Sequence, residues 1–357
     1  MASNITATNC LNGWTTAVSG YGDFLKNPDV DINIWPKGIS GIPNGWRTGS
    51  YYGKEDNTDY RKEYFTLEAV TKGEMTLYKP YGYNSSSLLQ YSFNDSEWVY
   101  FNSNTTINVV KGDKIKIKAI NNGNYYYSAN SRVFDSTGYY KVYGNILSLL
   151  YGDEFEYIKD CIDYYVEYYD IYYCDLTNIS SLSTFQGLFA NSKKLVSAKN
   201  LILPFTNLCQ RCYQRMFSNC TNLVEAPELP ATTLKSECYA YMFYGCASLE
   251  KAPELSATTL LDYCYRYMFY GCANLVKAPK LPANTLADCC YQAMFNGCTN
   301  LKEITMLATD INATNCLSSW VYGVASTGTF VKNATMTSLE IGTSGIPTGW
   351  TVEDFTN

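Results

Sequence analysis

The sequence predicts a multidomain chain, mainly β plus an α/β solenoid, with a β-sandwich followed by a repeat solenoid and a C-terminal cap. Three observations predict this. The second half repeats at a fixed 26-residue step, the middle contains short β-rich runs, and the final unit also occurs at the start. A chain of 357 residues is long enough for two or three domains.

Residues 1–50 are predicted to form a cap-like segment that duplicates the end of the chain. ITATNCLNGWTTAVSGYGDFLKN from Ile5 aligns with INATNCLSSWVYGVASTGTFVKN from Ile311. At the C-terminal end, residues 311–357, such a unit would cover the open strand edge of the last repeat. The first copy has three interpretations: a leftover cap packed on the next domain, a cap that docks on another subunit, or an expression boundary.

Residues 60–150 are predicted to form the β-sandwich. Runs such as YFTLEAV, EWVYF and DKIKIKAI are rich in strand-forming residues, and turn signals such as Lys111-Gly112-Asp113 separate them. Seven or eight strands at this regular spacing are typical of a sandwich. Residues 151–185 are acidic and rich in tyrosine, and they are interpreted as a connection whose secondary structure the pattern leaves open.

Residues 186–310 contain the repeats. CYQRMFSNCTNL from Cys212 recurs as CYAYMFYGCASL, CYRYMFYGCANL and CYQAMFNGCTNL, and a degenerate copy begins near Leu188. Apolar residues spaced three to four apart predict a helical part in each copy. An extended part follows, in which a proline keeps the strand short. Stacking would align inward ladders of cysteine (Cys220, Cys246, Cys272, Cys298) and of leucine (Leu223, Leu249, Leu275, Leu301).

MFYGCASLEKAPELS and its sister copies resemble the BspA-type leucine-rich repeat of Bacteroidales surface proteins and gut-phage proteins. The resemblance covers about residues 180–357, and it implies a BspA-like leucine-rich repeat solenoid. VVKGDKIKIKA and GNILSLLYGDEF resemble a module that precedes such repeats in gut-phage tail or fibre-like proteins.

Composition argues against most enzyme classes. The chain has no histidine, which excludes a Ser-His-Asp or Cys-His nucleophile and a His-ligated metal. The net charge of −6 argues against nucleic acid, and no apolar run is long enough for a membrane helix. A non-enzymatic protein without a cofactor is therefore expected, and a glycoside-cleaving carboxylate pair stays an alternative because no pair is singled out.

The 14 cysteines are predicted to be mainly reduced structural thiols, because nine of them fall in two repeat columns. The start of the chain lacks a basic-then-apolar leader, which favours synthesis in a reducing compartment. Disulfides between neighbouring copies and zinc at Cys209 and Cys212 are the alternatives. The acidic run from Asp153 to Asp170 is predicted to be a solvated face, with calcium binding as the alternative.

Two sets of residues are candidate binding surfaces. One is the exposed strand face, which comprises Glu225, Glu228, Lys251, Glu254, Lys277, Lys280 and Glu303. Opposite charges one copy apart could simply pair across the ladder, or the face could bind a protein or glycan. The other is the tyrosine-rich surface, which comprises Tyr125, Tyr126, Tyr127 and the cluster 164–173.

The resemblance implies a bacteriophage virion protein, a tail or head fibre or decoration component, that displays the repeats for host recognition. Its partners would be a host-surface glycan or protein and other virion proteins, with a homo-oligomer expected and neither nucleic acid nor membrane bound. It would be located in the virion after assembly in the host cytoplasm. The alternatives are a bacterial cell-surface adhesin, a purely structural virion component and a carbohydrate-active enzyme.

Overall fold

The computed structural model describes residues 59–78, 89–101, 103–120, 134–155 and 185–356, which all belong to one compact unit, Thr58–Asn357. The predicted cap-like segment at 1–50, the Tyr125–Tyr127 cluster and most of the connection at 151–185 lie outside the described residues. Within those ranges, no helix has the length and apolar character to cross a membrane.

The described chain is mainly β. Its helical structure comprises one α-helical turn, α1 (Ser148–Tyr151), and two 3₁₀ turns, Tyr60–Lys62 and Gly152–Glu154. The strands are β1 (Phe65–Ala69), β2 (Gly73–Leu77), β3 (Leu89–Phe93), β4 (Val99–Phe101), β5 (Thr105–Val109), β6 (Lys114–Ala119), β7 (Phe134–Ser136), β8 (Tyr140–Asn145), β9 (Leu195–Ile202), β10 (Glu303–Met306), β11 (Thr329–Lys332) and β12 (Thr351–Asp354).

The β-rich segment predicted at 60–150 contributes eight strands to two sheets. One has six strands in the order β4-β3-β6-β1-β8-β9, and the other has three in the order β5-β2-β7. Alternation in the sequence decides which side chains enter the core: Ile115 and Ile117 of β6 are buried, whereas Lys114 is exposed and Lys116 only half-buried. These isoleucines share one hydrophobic core with Met75 of β2.

The last strand of the six-stranded sheet comes from the first repeat. β9 pairs in parallel with β8, and Ser197 of β9 is in turn bridged to Glu225 of the next copy. The ring of Phe189 stacks on Phe65 of β1 at 6.0 Å. The β-rich segment and the repeats therefore share a sheet and a core, a junction that the sequence did not predict.

The prediction of a helical part in each repeat is wrong. Residues 237–246 form consecutive turns in which every fourth residue has a positive φ: Glu237 at 59°, Tyr241 at 59° and Gly245 at 71°. Backbone N–H groups alternate between two acceptors. Ala240 donates to Glu237 of its own copy, whereas Tyr239 and Tyr241 donate to carbonyls of the next copy. A helix would keep all of these bonds within the segment.

Hydrophobic burial has the same four-residue period. The buried larger side chains are Cys238 and Tyr239, then Met242 and Phe243, then Cys246, and the small Ala240 between them is buried as well. A spacing of three to four fits both a helix and this chain of turns, so the pattern alone did not separate them. Alternate N–H groups are left to bond the neighbouring copy, which aligns residues 26 positions apart.

Aromatic columns run through the stack of copies. The phenylalanine rings are nearly parallel, with neighbouring centroids 5.2–5.7 Å apart, in a column that contains Phe189, Phe217, Phe243, Phe269 and Phe295. A second column contains Tyr213, Tyr239, Tyr265 and Tyr291, which are fully buried. Both columns end on Trp320, which packs edge-on against Phe330.

The predicted inward ladders are confirmed. Every member of the two ladders has no exposed surface: Cys220, Cys246, Cys272, Cys298, Leu223, Leu249, Leu275 and Leu301. The short strands are also confirmed. Glu225 and Lys251 form a single bridge, and prolines follow at Pro227 and Pro253, whereas the proline-free segments β9 and β10 form longer strands.

We expect Leu249→Ala to lower the free energy of unfolding by about 2–5 kcal/mol, because it leaves a cavity between stacked copies. Leu249 is 0% exposed, and its matched control Leu261 is 39% exposed in the same copy. Leu261→Ala should change stability by no more than about 0.5 kcal/mol. Urea denaturation of both variants checks this, and equal losses would contradict the ladder.

Candidate functional site

The exposed strand face lies where the copies meet edge to edge. Six of its seven predicted members are exposed and Glu303 is half-buried: Glu225, Glu228, Lys251, Glu254, Lys277, Lys280 and Glu303. Backbone bridges join Glu225 to Lys251 and Lys277 to Glu303. Of the two charge pairs that the sequence suggested, Lys277 and Glu303 form an ion pair, whereas the carboxylate of Glu225 lies near Lys199. The structure thus brings these residues together on one surface.

Much of the charge on this face is satisfied within the chain. Lys277 forms an ion pair with Glu303, and Glu225 lies 4.0 Å from Lys199 and accepts a hydrogen bond from Ser197 at 2.8 Å. The ammonium group of Lys280 lies 4.3 Å from the ring centroid of Phe355. Exposed pairs of this kind contribute at most about 1 kcal/mol, so the face is a mild mixed surface.

A second surface lies on the turns of the copies, and we call it the tyrosine groove. Its walls are two short columns, Tyr241 with Tyr267 and Tyr244 with Tyr270, and ring centroids are 4.8 Å apart within each column. The two columns are tilted from each other by 50° in one copy and 41° in the next. All four rings are half-buried, so each keeps part of its surface open to solvent.

Polar residues of the preceding copy close one end of the tyrosine groove. They are Arg215, Ser218 and Asn219. The guanidinium of Arg215 lies 4.7 Å from the ring centroid of Tyr241 and is exposed to solvent. At the other end, the next copy has Ala293 and Asn296 at the positions of the tyrosines, so the aromatic walls span two copies.

Sequence reasoning largely missed this groove. In the helical part predicted for each copy, Tyr241 would be one of the apolar positions spaced three to four residues apart. The turn conformation instead holds Tyr241 and Tyr267 on the outside, at positive φ. The available signal was the pattern YMFY, which occurs only in the second and third full copies and marks outward positions once the four-residue period is known.

The cysteines of the inner ladder form hydrogen bonds between neighbouring copies. All described cysteines are free thiols. The Sγ of Cys220 donates to the carbonyl oxygen of Phe189 at 3.0 Å, and Cys246 donates to Phe217 at 3.1 Å. The same contact recurs in the next two copies, so each thiol ties one copy to the one before it.

Burial sets the acidity of these thiols. It raises the pKa of Cys220 and of Cys298 to about 12 from an ordinary value of 9.0. The hydrogen bond with Cys209 and burial together raise the pKa of Cys212 well above that value. These thiols are therefore poor nucleophiles and poor metal ligands. Among the described residues, no three His, Cys, Asp or Glu side chains are grouped to hold a metal ion.

The start of the acidic run has a structural partner. Asp153 accepts hydrogen bonds from the Lys118 ammonium at 2.7 Å and from the Tyr64 hydroxyl at 2.6 Å. Burial opposes the charge on Asp153, but these hydrogen bonds and the lysine charge outweigh it and lower its pKa. The residues of the run from Glu156 to Asp170 lie outside the described ranges.

We expect the free energy of unfolding to fall as the pH rises from about 9 towards 12. The unfolded chain loses thiol protons near pH 9, whereas the buried thiols of Cys220 and Cys298 keep theirs to about 12. Deprotonation therefore favours the unfolded state, by up to about 1.4 kcal/mol per pH unit for each thiol.

Urea denaturation between pH 7 and 11 checks this dependence, with Cys298→Ala as the comparison. Above pH 9, the free energy of unfolding of the variant should fall less steeply with pH than that of the unsubstituted chain. Below pH 8, the free energies of both proteins should be nearly independent of pH. A fall as steep as that of the unsubstituted chain would contradict the role given to this thiol.

Comparison with known proteins supports the repeat assignment. Residues 164–285 and 236–319 match the model of the BspA type leucine rich repeat region, in six copies. The match begins inside the segment interpreted as a connection and ends at residue 319, inside the predicted cap at 311–357. Searches of curated proteins and of solved structures gave no significant match. Over residues 164–319 the chain is therefore similar to the BspA type leucine rich repeat region.

Proposed function

We propose that this chain is a non-enzymatic recognition protein that binds a glycan or protein on a host surface through the outside of its repeat stack. The repeats form an open solenoid in this proposal, with the β-sandwich at one end and residues 311–357 as the cap at the other. Leucine-rich repeat regions generally mediate surface or protein interactions, which supports a binding role.

One observation carries the proposal: positions that face inward keep their residue from copy to copy, whereas positions that face outward change. Phe, Cys and Leu recur unchanged in the inward columns across the four full copies. The column of the tyrosine groove reads Arg215, Tyr241, Tyr267 and Ala293: Arg215 is exposed, the tyrosines are half-buried, and the small Ala293 is buried. A constant scaffold with variable surface positions is typical of repeat proteins that bind partners.

The setting that we propose is a bacteriophage virion, in which the chain is a tail or head fibre or decoration component. Its support is the resemblance of the repeats and of the preceding β-rich segment to gut-phage proteins. A bacterial cell-surface adhesin and a purely structural virion component are the alternative settings. In all three settings the stack of repeats is a binding surface, and the settings differ in whether a virion or a bacterial cell carries the chain.

We expect the fluorescently labelled full chain to bind intact cells of some gut Bacteroidales strains in a saturable manner. Unlabelled chain should compete for the same sites, because the partner is a defined surface molecule. The chain should release no reducing sugar from surface polysaccharide of the bound strains. Flow cytometry and a reducing-end assay measure the two quantities.

Serum albumin with the same label is the control for non-specific attachment. Equal binding to every strain, with no competition, would contradict the recognition function. Release of reducing sugar would instead support the carbohydrate-active enzyme that the sequence left open. Genomic neighbours that encode capsid, portal and tail proteins would support the virion setting.

A further inference from the structure

We propose that the tyrosine groove binds an acidic saccharide, with a sugar ring against the tyrosine walls and its carboxylate on Arg215. This inference rests on the proposed recognition function, and it names the site and the class of ligand. The site comprises the four tyrosines of the walls, Arg215, Ser218 and Asn219.

The shape of the groove suits a sugar ring that lays its C–H face against the tyrosine rings. Tyr241 and Tyr244 lie 5.8 Å apart at an interplanar angle of 50°, and Tyr267 and Tyr270 repeat this arrangement one copy further on. Stacking within each column holds the rings in place, so they lose little conformational entropy on binding. Each tyrosine presents apolar ring surface and a hydroxyl, which matches the C–H and O–H groups of a sugar.

The charge at the end of the groove selects an anion. In the described part of the chain, Arg215 has no carboxylate within ion-pair distance. Arg211, one turn earlier, is by contrast paired with Glu237 at 2.7 Å. Packing on Tyr241 holds the guanidinium of Arg215 at the mouth of the groove, and its free N–H groups match a carboxylate in a two-point contact.

Other occupants fit these observations less well. A neutral saccharide would leave the guanidinium of Arg215 without an anionic partner. A long polyanion would be repelled by the chain, whose net charge is −6. The aromatic walls end after two copies, where Ala293 and Asn296 replace the tyrosines. The site therefore has room for a short acidic oligosaccharide or for the terminal residues of a longer one.

The test is isothermal titration calorimetry of the full chain with sialyllactose and with hyaluronan oligosaccharides. Lactose and chito-oligosaccharides are the uncharged matches, and we expect them to bind at least tenfold more weakly, which corresponds to about 1.4 kcal/mol. Binding of the acidic ligands should weaken as salt is added, because Arg215 is exposed.

Substitutions in the groove assign the site. Tyr267→Ala should fold, because Ala293 already occupies the equivalent position of the next copy at a similar positive φ, 49° against 56°. We expect Tyr267→Ala and Arg215→Gln each to weaken the acidic ligand about tenfold or more. Arg215→Lys keeps the positive charge but lacks the planar guanidinium. Its affinity for the acidic ligand should therefore lie between those of Arg215→Gln and the unsubstituted chain.

Two controls lie outside the groove. Tyr322→Ala removes a 60% exposed tyrosine at the repeat position of Tyr244 and Tyr270, two copies beyond the groove. The double variant Lys251→Gln, Lys277→Gln removes positive charge from the exposed strand face. Both should bind the acidic saccharides as the unsubstituted chain does. Circular dichroism of every variant confirms that the stack is folded before affinities are compared.

The inference is overturned if groove variants keep full affinity, if neutral matches bind equally well, or if only the strand-face variant loses binding. Binding of a protein ligand in the groove, with none of these saccharides bound, overturns it as well. Cell binding by the unsubstituted chain is measured separately, so the recognition function can survive each of these results. Loss of saturable cell binding would contradict the recognition function itself.

Discussion

The structure depends on how each copy divides its backbone hydrogen bonds. In the turn segment, Tyr239 donates its N–H to Cys264 of the next copy, whereas Ala240 donates to Glu237 of its own. Inside the stack, a shift in register would leave these buried N–H groups without a partner, at a cost of about 1–3 kcal/mol for each group. Copies are therefore stable only in register with their neighbours, and residues 26 positions apart lie above one another.

That constraint builds the core and the surface together. An identical side chain at each step becomes a column, which explains the parallel phenylalanine rings inside and the tyrosine pairs 4.8 Å apart outside. Neighbouring outward positions that differ, such as Arg215 and Tyr241, are held at contact distance by the same bonds. The tyrosine groove thus needs no loop or hinge to form, because the stack that buries Phe243 also fixes its walls.

Much of this organisation could be predicted from the sequence, since a ladder of leucine or cysteine requires only the repeat step. The turn conformation could not, because a spacing of three to four does not separate a helix from turns with a four-residue period. Positive φ at Tyr241 is also unfavourable for a bulky residue considered alone. The N–H group of Tyr241 donates to the carbonyl oxygen of Arg266 in the next copy, which holds this conformation. A local sequence pattern does not contain such a bond, so it does not predict the tyrosine groove.

The two ends of the stack are closed in different ways, and this bears on how its function can be dissected. At one end β9 joins the six-stranded sheet and Phe189 packs on Phe65. At the other, Trp320 covers the aromatic columns and donates its Nε1–H to the carbonyl oxygen of Gly345 at 2.8 Å. Deleting the chain from residue 180 onwards would remove β9 from the sheet and expose the ring of Phe65. Loss of binding by such a truncation would report unfolding as readily as loss of a site, so substitutions on the outward columns are the cleaner test.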